Sequence, residues 1–345
     1  MFTKKNPLKS VRMFGLVMLV VLLTALLAAC GDPTATTVPA ATTAPATTTV
    51  APKSTTAAAT TAVATTAAAP TTTVATTTAA ARVSMSKLRL GLIPSENATK
   101  VIDDSKPFGD ALSKVLGVPV EIFVGNNYTA TIEALASNKI DVAWFGPFSY
   151  VLSADKYNGE ALLLQLGKGG ATTYNSYIIT TPKTGIKTLA DLKGHTFSFV
   201  DPASTSGNLI PRYTLTKAGF DPDKDVQPSF AGGHDASLLG VISGKTDAGA
   251  VASDVFASLL EKGSFKKEDV VIVNTSDPIP NSPIAVSKTM AAADKAAIKA
   301  AFLSIKDADV LKAVGSSGFA DGSNDTYNGL RDVAKLLGLD LTKLK

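Results

Sequence analysis

The chain is poor in the residues that build disulfides and metal centres. It has one cysteine, two histidines and one tryptophan among 345 residues. One cysteine excludes an intrachain disulfide and any metal site with several thiolate ligands. Two histidines leave little for a histidine-based zinc site. We therefore expect no metal and no cofactor.

A strong net charge is also missing. The formal net charge is +4, from 33 basic and 29 acidic residues, and four of the basic residues lie in the first 12 positions, which contain no acid. Without these four residues the chain has equal numbers of basic and acidic residues, 29 of each. A neutral chain argues against nucleic-acid binding, which normally requires a basic surface, and against a polybasic membrane surface. We expect no nucleic-acid partner.

The first 29 residues have the pattern of a secretory signal peptide, with a basic start and an apolar run over residues 13–29. The run ends in small residues directly before Cys30, the only cysteine, and resembles the lipobox of bacterial lipoproteins. The alternative is a retained signal-anchor helix, because the run is about as long as the ~17–25 residues that span a membrane. We expect lipidation at Cys30 and a protein anchored on the extracytoplasmic face of the cell membrane.

Residues 30–81 form the second segment. After the cysteine it consists almost entirely of threonine, alanine, proline and valine, with Asp32 and Lys53 as its only charges and no aromatic residue. Such a composition buries too little apolar surface to offset the entropy of ordering. We expect a disordered tether, followed by a globular part from residue 82 onward.

Strand and helix patterns alternate through the globular part. Strands are predicted at residues 88–93, 118–124, 140–145, 174–180, 196–200, 248–252 and 270–274. Helices are predicted at residues 106–116, 129–137, 209–218, 236–243, 295–303 and 327–336. This alternation indicates an α/β protein with mainly parallel sheets.

The globular part also repeats itself at an offset of 106 residues. Residues 134–143 and 240–249 both read as a helix, a tight turn, Lys-x-Asp and a strand of small residues, and residues 90–97 echo residues 199–205. Two echoes in the same order predict two lobes of similar topology. Ligands of such sheets bind beyond the carboxyl ends of the strands, so we expect a cleft between the lobes.

Three hydroxyl residues and a glycine, Ser204, Thr205, Ser206 and Gly207, follow a predicted strand and open a helix. Free N–H groups at a helix start bind anions without lysine or arginine. Ordinary N-capping explains one hydroxyl, whereas three with a glycine favour a bound oxyanion. Pro211 is tolerated only in a first helical turn, so the helix begins after Ser206 or is kinked.

Tyr128 and His234 occupy the same place in the two echoed units, because they are 106 residues apart and each precedes a predicted helix. Tyrosine donates one O–H, and histidine donates one or two N–H groups. A lone histidine is usually structural, and only its match to Tyr128 favours a binding role. We expect both side chains at the cleft.

Several of these segments together resemble the phosphate/phosphite/phosphonate-binding proteins of ABC importers, over nearly all of residues 87–345. The segments are residues 91–97, 128–135, 141–147, 201–207 and 232–236. The resemblance implies a bilobed periplasmic-binding-protein (type II) fold with two crossing strands. We place lobe 1 at residues 82–178 and 286–345 and lobe 2 at residues 179–285, with crossings near residues 177–181 and 279–287.

The resemblance also implies a function. It predicts a solute receptor, not an enzyme, that captures a small phosphorus oxyanion and presents it to an ABC permease. From this and the lipobox together, we expect a lipid-tethered monomer. In that family the anion is held by the serine-threonine-serine helix start, two tyrosines and a histidine. The matching residues here are Ser204, Thr205, Ser206, Tyr128, Tyr174 and His234.

Aminoalkylphosphonate-binding members of the family place two acids against the amine. One matches Asp254, and the other falls at Ser282, which is not acidic. We therefore expect phosphite or a short alkylphosphonate to be preferred over aminoethylphosphonate. Asp254 would accept a P–OH proton or only cap a helix, and an apolar wall is expected from Phe148, Tyr150 and Tyr177.

Two alternatives stay open at this point. One is a binding protein for another oxyanion, such as sulfonate or nitrate, or a ligand sensor. The other is a hydrolase that uses a serine of residues 204–206 with His234. It is disfavoured because the chain has no Gly-x-Ser-x-Gly elbow and the serines open a helix.

Overall fold

The computed structural model describes residues 82–343. The predicted signal peptide, the lipidation site at Cys30 and the tether up to residue 81 lie outside the described residues. Within residues 82–343, none of the helices is both long and apolar enough to cross a membrane.

The described residues alternate between strands and helices, as the sequence predicts. The strands are β1 (Leu88–Leu92), β2 (Val120–Val124), β3 (Val142–Trp144), β4 (Gly159–Leu166), β5 (Thr173–Tyr174), β6 (Ser176–Thr180), β7 (Thr196–Phe199), β8 (Gln227–Phe230), β9 (Ala248–Ala252), β10 (Val271–Thr275), β11 (Ile279–Pro280), β12 (Pro283–Ser287) and β13 (Gly318–Asp321). The α-helices are α1 (Ala98–Leu116), α2 (Tyr128–Ala136), α3 (Pro147–Tyr157), α4 (Ile210–Lys217), α5 (His234–Ile242), α6 (Ser253–Glu261), α7 (Ala292–Ser304), α8 (Ala308–Ala313) and α9 (Asn328–Leu336). A π-helical turn, Thr205–Leu209, precedes α4, and short 3-10 turns occupy Lys168–Gly170, Pro182–Thr184, Leu189–Leu192, Lys267–Asp269 and Asn324–Tyr327.

Two sheets define two lobes. Lobe 1 is built on a six-stranded sheet of order β13-β4-β12-β3-β1-β2, and lobe 2 on a five-stranded sheet of order β10-β6-β9-β7-β8. The order β3-β1-β2 in lobe 1 is repeated as β9-β7-β8 in lobe 2. The topological repeat predicted from the offset of 106 residues is therefore present.

The expectation of mainly parallel sheets is wrong. Only four of the ten pairings among the described strands are parallel, and they join β1 to β2 and β3, and β7 to β8 and β9. The strands that enter each lobe from the other one, β6 and β12, pair antiparallel with β9 and β3. They arrive through the hinge rather than through a crossover helix, which parallel neighbours require.

The connection between the lobes is a small antiparallel sheet of β5 and β11, in which Tyr174 pairs with Ile279. By sheet membership, β6 belongs wholly to lobe 2 and β12 wholly to lobe 1. The boundaries that we expected, 178/179 and 285/286, each fall inside one of these strands. Tyr174, a predicted site residue, therefore lies in the hinge itself.

Helices cover both faces of each sheet. Successive residues of one strand, such as Ala143 and Trp144 or Ile178 and Ile179, belong to different buried apolar clusters, as the alternation of side chains in a strand requires. In lobe 1, the ring of Phe108 on α1 lies 5.6 Å from that of Trp144, centroid to centroid. This packing fixes α1 against the sheet and so positions the loop that leads into it.

Helix α1 begins earlier than the predicted residue 106. Asn97 caps it, since its side chain accepts a hydrogen bond from the Lys100 N–H at 3.2 Å. Pro107 lies inside the helix. The added first turns also carry an ion pair between Lys100 and Asp104 at 2.7 Å, four residues apart, a spacing that favours helix.

Candidate functional site

The two lobes touch where the carboxyl ends of their strands meet. The N–H of His234, at the start of α5 in lobe 2, donates to the carbonyl of Ser95 in lobe 1 at 2.8 Å. Beside it, the N–H of Asn97 donates to Asp235 Oδ2 at 3.0 Å. The loop before α1 and the start of α5 are thus joined in a closed arrangement.

A second set of contacts joins the lobes closer to the hinge. The N–H of Tyr128 donates to Asp201 Oδ2 at 3.3 Å, and Ser149 Oγ donates to the carbonyl of Ala203 at 2.9 Å. Phe148 packs in the same buried apolar cluster as Ala203. The cleft is therefore bounded on both sides by helix starts in contact with the opposite lobe.

The predicted cradle is formed by the π-helical turn. Ser204 caps it and accepts the N–H of Gly207 at 3.1 Å, and the Leu209 N–H closes the wide turn onto the Ser204 carbonyl at 3.0 Å. A side chain at Gly207 would collide with Val200 at the end of β7, so glycine lets the turn pack this closely. Pro211 lies in the first turn of α4, which follows the π turn, as the proline predicted.

The hydroxyls of this turn are buried but retain hydrogens to donate. Ser204, Thr205 and Ser206 are at most 2% exposed. The oxygens of Ser204 and Thr205 each accept a backbone N–H, so each O–H remains a donor. The first N–H groups of a helix have no acceptor within the helix. The turn can therefore present several neutral donors to one anion.

Tyr128 is the first residue of α2 and is 1% exposed. Its hydroxyl makes no hydrogen bond of good geometry within the described residues, although the nearby Ser204 hydroxyl lowers the pKa of the phenol by a weaker hydrogen-bonding interaction. Burial raises that pKa well above its usual value, and the negative charge of Asp201 adds to the effect. Tyr128 is thus a neutral buried donor without an acceptor.

Tyr174 lies on β5, between the lobes, with its hydroxyl close to the cradle. Burial raises the pKa of the phenol, and hydrogen bonding to Ser206 and Thr205 opposes that rise. Both predicted tyrosines are therefore neutral at physiological pH and lie beside the π turn.

His234 is the first residue of α5 and is 4% exposed. Its Nδ1 accepts the N–H of Ala252 at 3.1 Å, which places the ring hydrogen of the neutral form on Nε2. Burial lowers the pKa of the imidazole from 6.5 to about 3. His234 is therefore neutral at physiological pH and has one N–H to donate.

Asp254 is the second residue of α6, at the cleft end of β9. The side chain has exposed surface, yet the surrounding protein raises its pKa, mainly by desolvation and further through the charge of Glu96 in lobe 1. Asp254 Oδ1 accepts the Val255 N–H at 2.9 Å, which fits a structural role at the helix start, and the ligand role stays a prediction.

Two members of the predicted apolar wall lie elsewhere. Tyr150 is buried in the core of lobe 1, where its hydroxyl accepts the N–H of Ala161 at 3.1 Å and donates to Asn324 at 3.1 Å. Tyr177 packs edge-on against Phe256 within lobe 2, at 5.6 Å between ring centroids. The expectation that both line the cleft is wrong, because each ring has a partner inside its own lobe.

Two acids at the cleft were not singled out from the sequence. Asp201 is buried, its pKa is raised by desolvation, and it accepts the N–H groups of Tyr128 and Ala203. Glu96 lies in the loop before α1, and its Oε1 is buried without a hydrogen-bond partner. Both belong to segments that resemble the family, but only the contact between lobes reveals their surroundings.

Comparisons with known proteins agree on one family. A family described as "ABC transporter, phosphonate, periplasmic substrate-binding protein" matches residues 90–327. The Phosphate-import protein PhnD of Mycolicibacterium smegmatis is 31% identical over 286 residues, which cover 74% of this chain and 87% of that protein. The Phosphonates-binding periplasmic protein of Escherichia coli is 28% identical over 212 residues, 60% of this chain and 63% of that protein.

Solved structures agree in fold. PhnD1 from Prochlorococcus marinus, in complex with methylphosphonate, superposes with a TM-score of 0.67 at 22% identity, covering 73% of this chain and 98% of that one. A binding protein component of an ABC phosphonate transporter from Pseudomonas aeruginosa gives a TM-score of 0.69 at 24% identity, covering 72% and 86%. These likenesses establish the bilobed periplasmic-binding-protein fold. With the family match spanning most of its globular part, the chain belongs to the periplasmic substrate-binding proteins of ABC phosphonate transporters.

Proposed function

We propose that this protein is a lipid-anchored receptor that captures a small phosphorus oxyanion between its lobes and delivers it to an ABC import permease. The observation that carries the proposal is the buried Tyr128 hydroxyl, which has no partner among the described residues and lies beside the donor-rich π turn. Leaving a buried polar group unsatisfied is costly. An anion in the cleft would supply the missing acceptor.

The proposed donors are all neutral. They are the hydroxyls of Ser204, Thr205, Ser206, Tyr128 and Tyr174 and the Nε2–H of His234. A hydrogen bond to a charged group contributes roughly 1.5–3 kcal/mol, so a few such bonds are sufficient for tight binding. The dipole of the helix start adds partial positive charge without a buried cation.

The names of the relatives support a small phosphorus oxyanion as the ligand. They mention phosphate import, phosphonates, phosphite and methylphosphonate. Members of this family are solute-binding transport proteins rather than enzymes. A hydrolase is therefore not proposed here.

The membrane anchor is proposed at Cys30, at the end of the signal-peptide pattern. The segment that follows the tether is fixed to lobe 1, because the N–H and hydroxyl of Ser84 donate to the carboxylate of Asp294 at 2.6 and 2.7 Å. A tether attached there would leave the cleft free to open and close. Replacing Cys30 with alanine should move the protein from the membrane fraction to the soluble fraction.

Among phosphorus oxyanions, we propose phosphite or a short alkylphosphonate. Ser282 stands where amine-binding members carry an acid, and its carbonyl is engaged by the Gln165 N–H at 2.9 Å. Titration calorimetry with phosphite, methylphosphonate, phosphate and aminoethylphosphonate tests both the proposed function and the proposed ligand preference. Binding of none of the four would refute the function, whereas tighter binding of aminoethylphosphonate would refute only the preference.

A further inference from the structure

Buried polar atoms without a partner are rare in this protein, and two of them border the cleft. Among the described residues, three buried side-chain atoms lack a hydrogen bond: Glu96 Oε1, Tyr128 Oη and Thr246 Oγ1. The first two lie on lobe 1 at the contact between the lobes. A carboxylate oxygen such as Glu96 Oε1 accepts, and the Tyr128 hydroxyl can donate, so a ligand that accepts at one end and donates at the other satisfies both.

Glu96 lies against the opposite lobe. The neighbouring carbonyl of Ser95 accepts the His234 N–H at 2.8 Å, and a Cβ on Gly233 would lie 3.5 Å from the Glu96 Cα. The carboxylate is paired on one side only, since Oε2 lies 3.1 Å from Lys100 Nζ. Lys100 is shared with Asp104, whose Oδ2 lies at 2.7 Å, so one lysine is divided between two carboxylates.

Asp254 lies near both Glu96 and the donors for the anion. Its charge raises the pKa of Tyr128 and of Tyr174, and the charge of Glu96 raises that of Asp254. The other acids at this contact, Asp201 and Asp235, have both oxygens occupied by backbone N–H groups. Glu96 and Asp254, on opposite lobes, therefore remain as the carboxylate acceptors at the contact between the lobes.

We propose that Glu96 and Asp254, from opposite lobes, share the hydrogen bond donated by the single P–OH group of the bound anion, which keeps its proton, so that the cleft selects monoprotonated phosphorus oxyanions over ions that carry no proton. This inference rests on the proposed function. A singly protonated phosphonate satisfies the Tyr128 donor with an ionised oxygen and the Glu96 acceptor with its O–H. A sulfonate has the same shape but only acceptors, and it leaves two carboxylates facing its negative charge.

The selectivity is measured by titrating the purified full chain with methylphosphonate and methanesulfonate. We expect methylphosphonate to bind at least about 100-fold more tightly than methanesulfonate. Methanesulfonate cannot donate a hydrogen bond to the acid pair, and the negative charge of the pair repels it. The affinity for methylphosphonate should also fall as the pH rises through the second ionisation of the ligand. His234 does not contribute to that fall, because its pKa is about 3.

Two variants assign the selectivity to the acid pair. In Glu96→Gln the amide N–H donates to an ionised oxygen, so the ratio of the two affinities should fall at least about tenfold. Asp254→Asn should lower the ratio in the same direction. Glu133→Gln, at an exposed position on α2, is the matched control and should leave the ratio unchanged. The Glu96→Gln substitution also releases Lys100 from its ion pair. This would raise the affinity for both anions alike and would not change the ratio.

The outcomes separate this inference from the proposed function. Equal binding of methylphosphonate and methanesulfonate by the unmodified protein, or unchanged ratios in both acid variants, would overturn the inference while leaving the function in place. Aminoethylphosphonate binding that exceeds methylphosphonate binding, and loses this advantage in Glu96→Gln, would show an ammonium site instead. Binding of no phosphorus oxyanion would overturn both. If Glu96→Gln does not fold, the inference is tested by the affinity ratio in Asp254→Asn and by the pH dependence of methylphosphonate binding.

Discussion

The hydroxyl oxygen of Thr205 in lobe 2 accepts a hydrogen bond from the backbone N–H of Phe148 in lobe 1, at 2.7 Å. Both residues are buried. Because this bond uses the oxygen as an acceptor, the O–H hydrogen must find another partner, and an oxygen of the anion is the one we propose. A single hydroxyl thus connects the contact between the lobes with ligand binding.

Thr205→Val should weaken binding of methylphosphonate about tenfold to a hundredfold, because it removes one donor to a charged ligand. It also leaves the buried Phe148 N–H without an acceptor, so some loss of stability is expected. Thr205→Ser keeps the hydroxyl and should retain most of the affinity. Unchanged calorimetric affinity in a folded valine variant would show that the anion does not sit on this turn.

His234 offers a pair of variants that separate its two nitrogens. His234→Asn keeps an acceptor near Nδ1 for the Ala252 N–H but loses the Nε2 donor, so it should bind weakly and keep its fold. His234→Gln keeps a donor near Nε2 and should bind better than the asparagine variant. Small-angle scattering should show less ligand-induced compaction in His234→Asn, since the proposed clasp to the ligand is lost. Complete compaction at saturation would exclude His234 from the clasp.

The buried imidazole also predicts how stability depends on pH. The pKa of His234 is lowered from 6.5 to about 3 by burial, so below pH 6.5 the unfolded chain binds a proton that the folded protein does not. This contribution to the free energy of unfolding is fully present above pH 6.5, decreases by roughly 1.4 kcal/mol per pH unit below it, and is lost by about pH 3.

His234→Asn lacks this titration. Urea unfolding at pH 7 and pH 5 should therefore show a steeper loss of stability on acidification for the unmodified protein than for the variant. Taking the difference between the two proteins cancels the carboxyl groups that titrate in both. Parallel losses would mean that His234 is not buried in the neutral form.

Much of the candidate site follows from local patterns in the sequence. A helix start is marked by its capping residues, and the offset of 106 residues places Tyr128 and His234 at the same point of two repeated units. In the structure they are the first residues of α2 and α5. The π turn likewise begins where hydroxyl residues and a glycine predicted an anion cradle.

Other features depend on contacts that the sequence does not display. The direction of β6 and β12 follows from the hinge through which they enter, so the sheets are mixed. Tyr150 looked like a cleft residue from its position, but its hydroxyl bonds within lobe 1. The surroundings of Glu96 become visible only in the contact between its loop and the start of α5 in the opposite lobe.

The globular part should fold and bind without the tether. Val83 is buried, and Ser84 is held by both oxygens of Asp294, so ordered structure is anchored from about this point. Limited proteolysis should leave a stable fragment that begins close to residue 82 and binds methylphosphonate with unchanged affinity. Loss of binding in that fragment would assign the tether a part in the site.

The most direct test of ligand capture in the cleft is titration calorimetry of methylphosphonate with the unmodified protein and with Tyr128→Phe. The Tyr128 hydroxyl has no partner among the described residues, so its removal should leave thermal stability unchanged or raise it. We expect the affinity for methylphosphonate nevertheless to fall about tenfold or more. Equal affinity in the two proteins would contradict the claim that the anion binds at this hydroxyl.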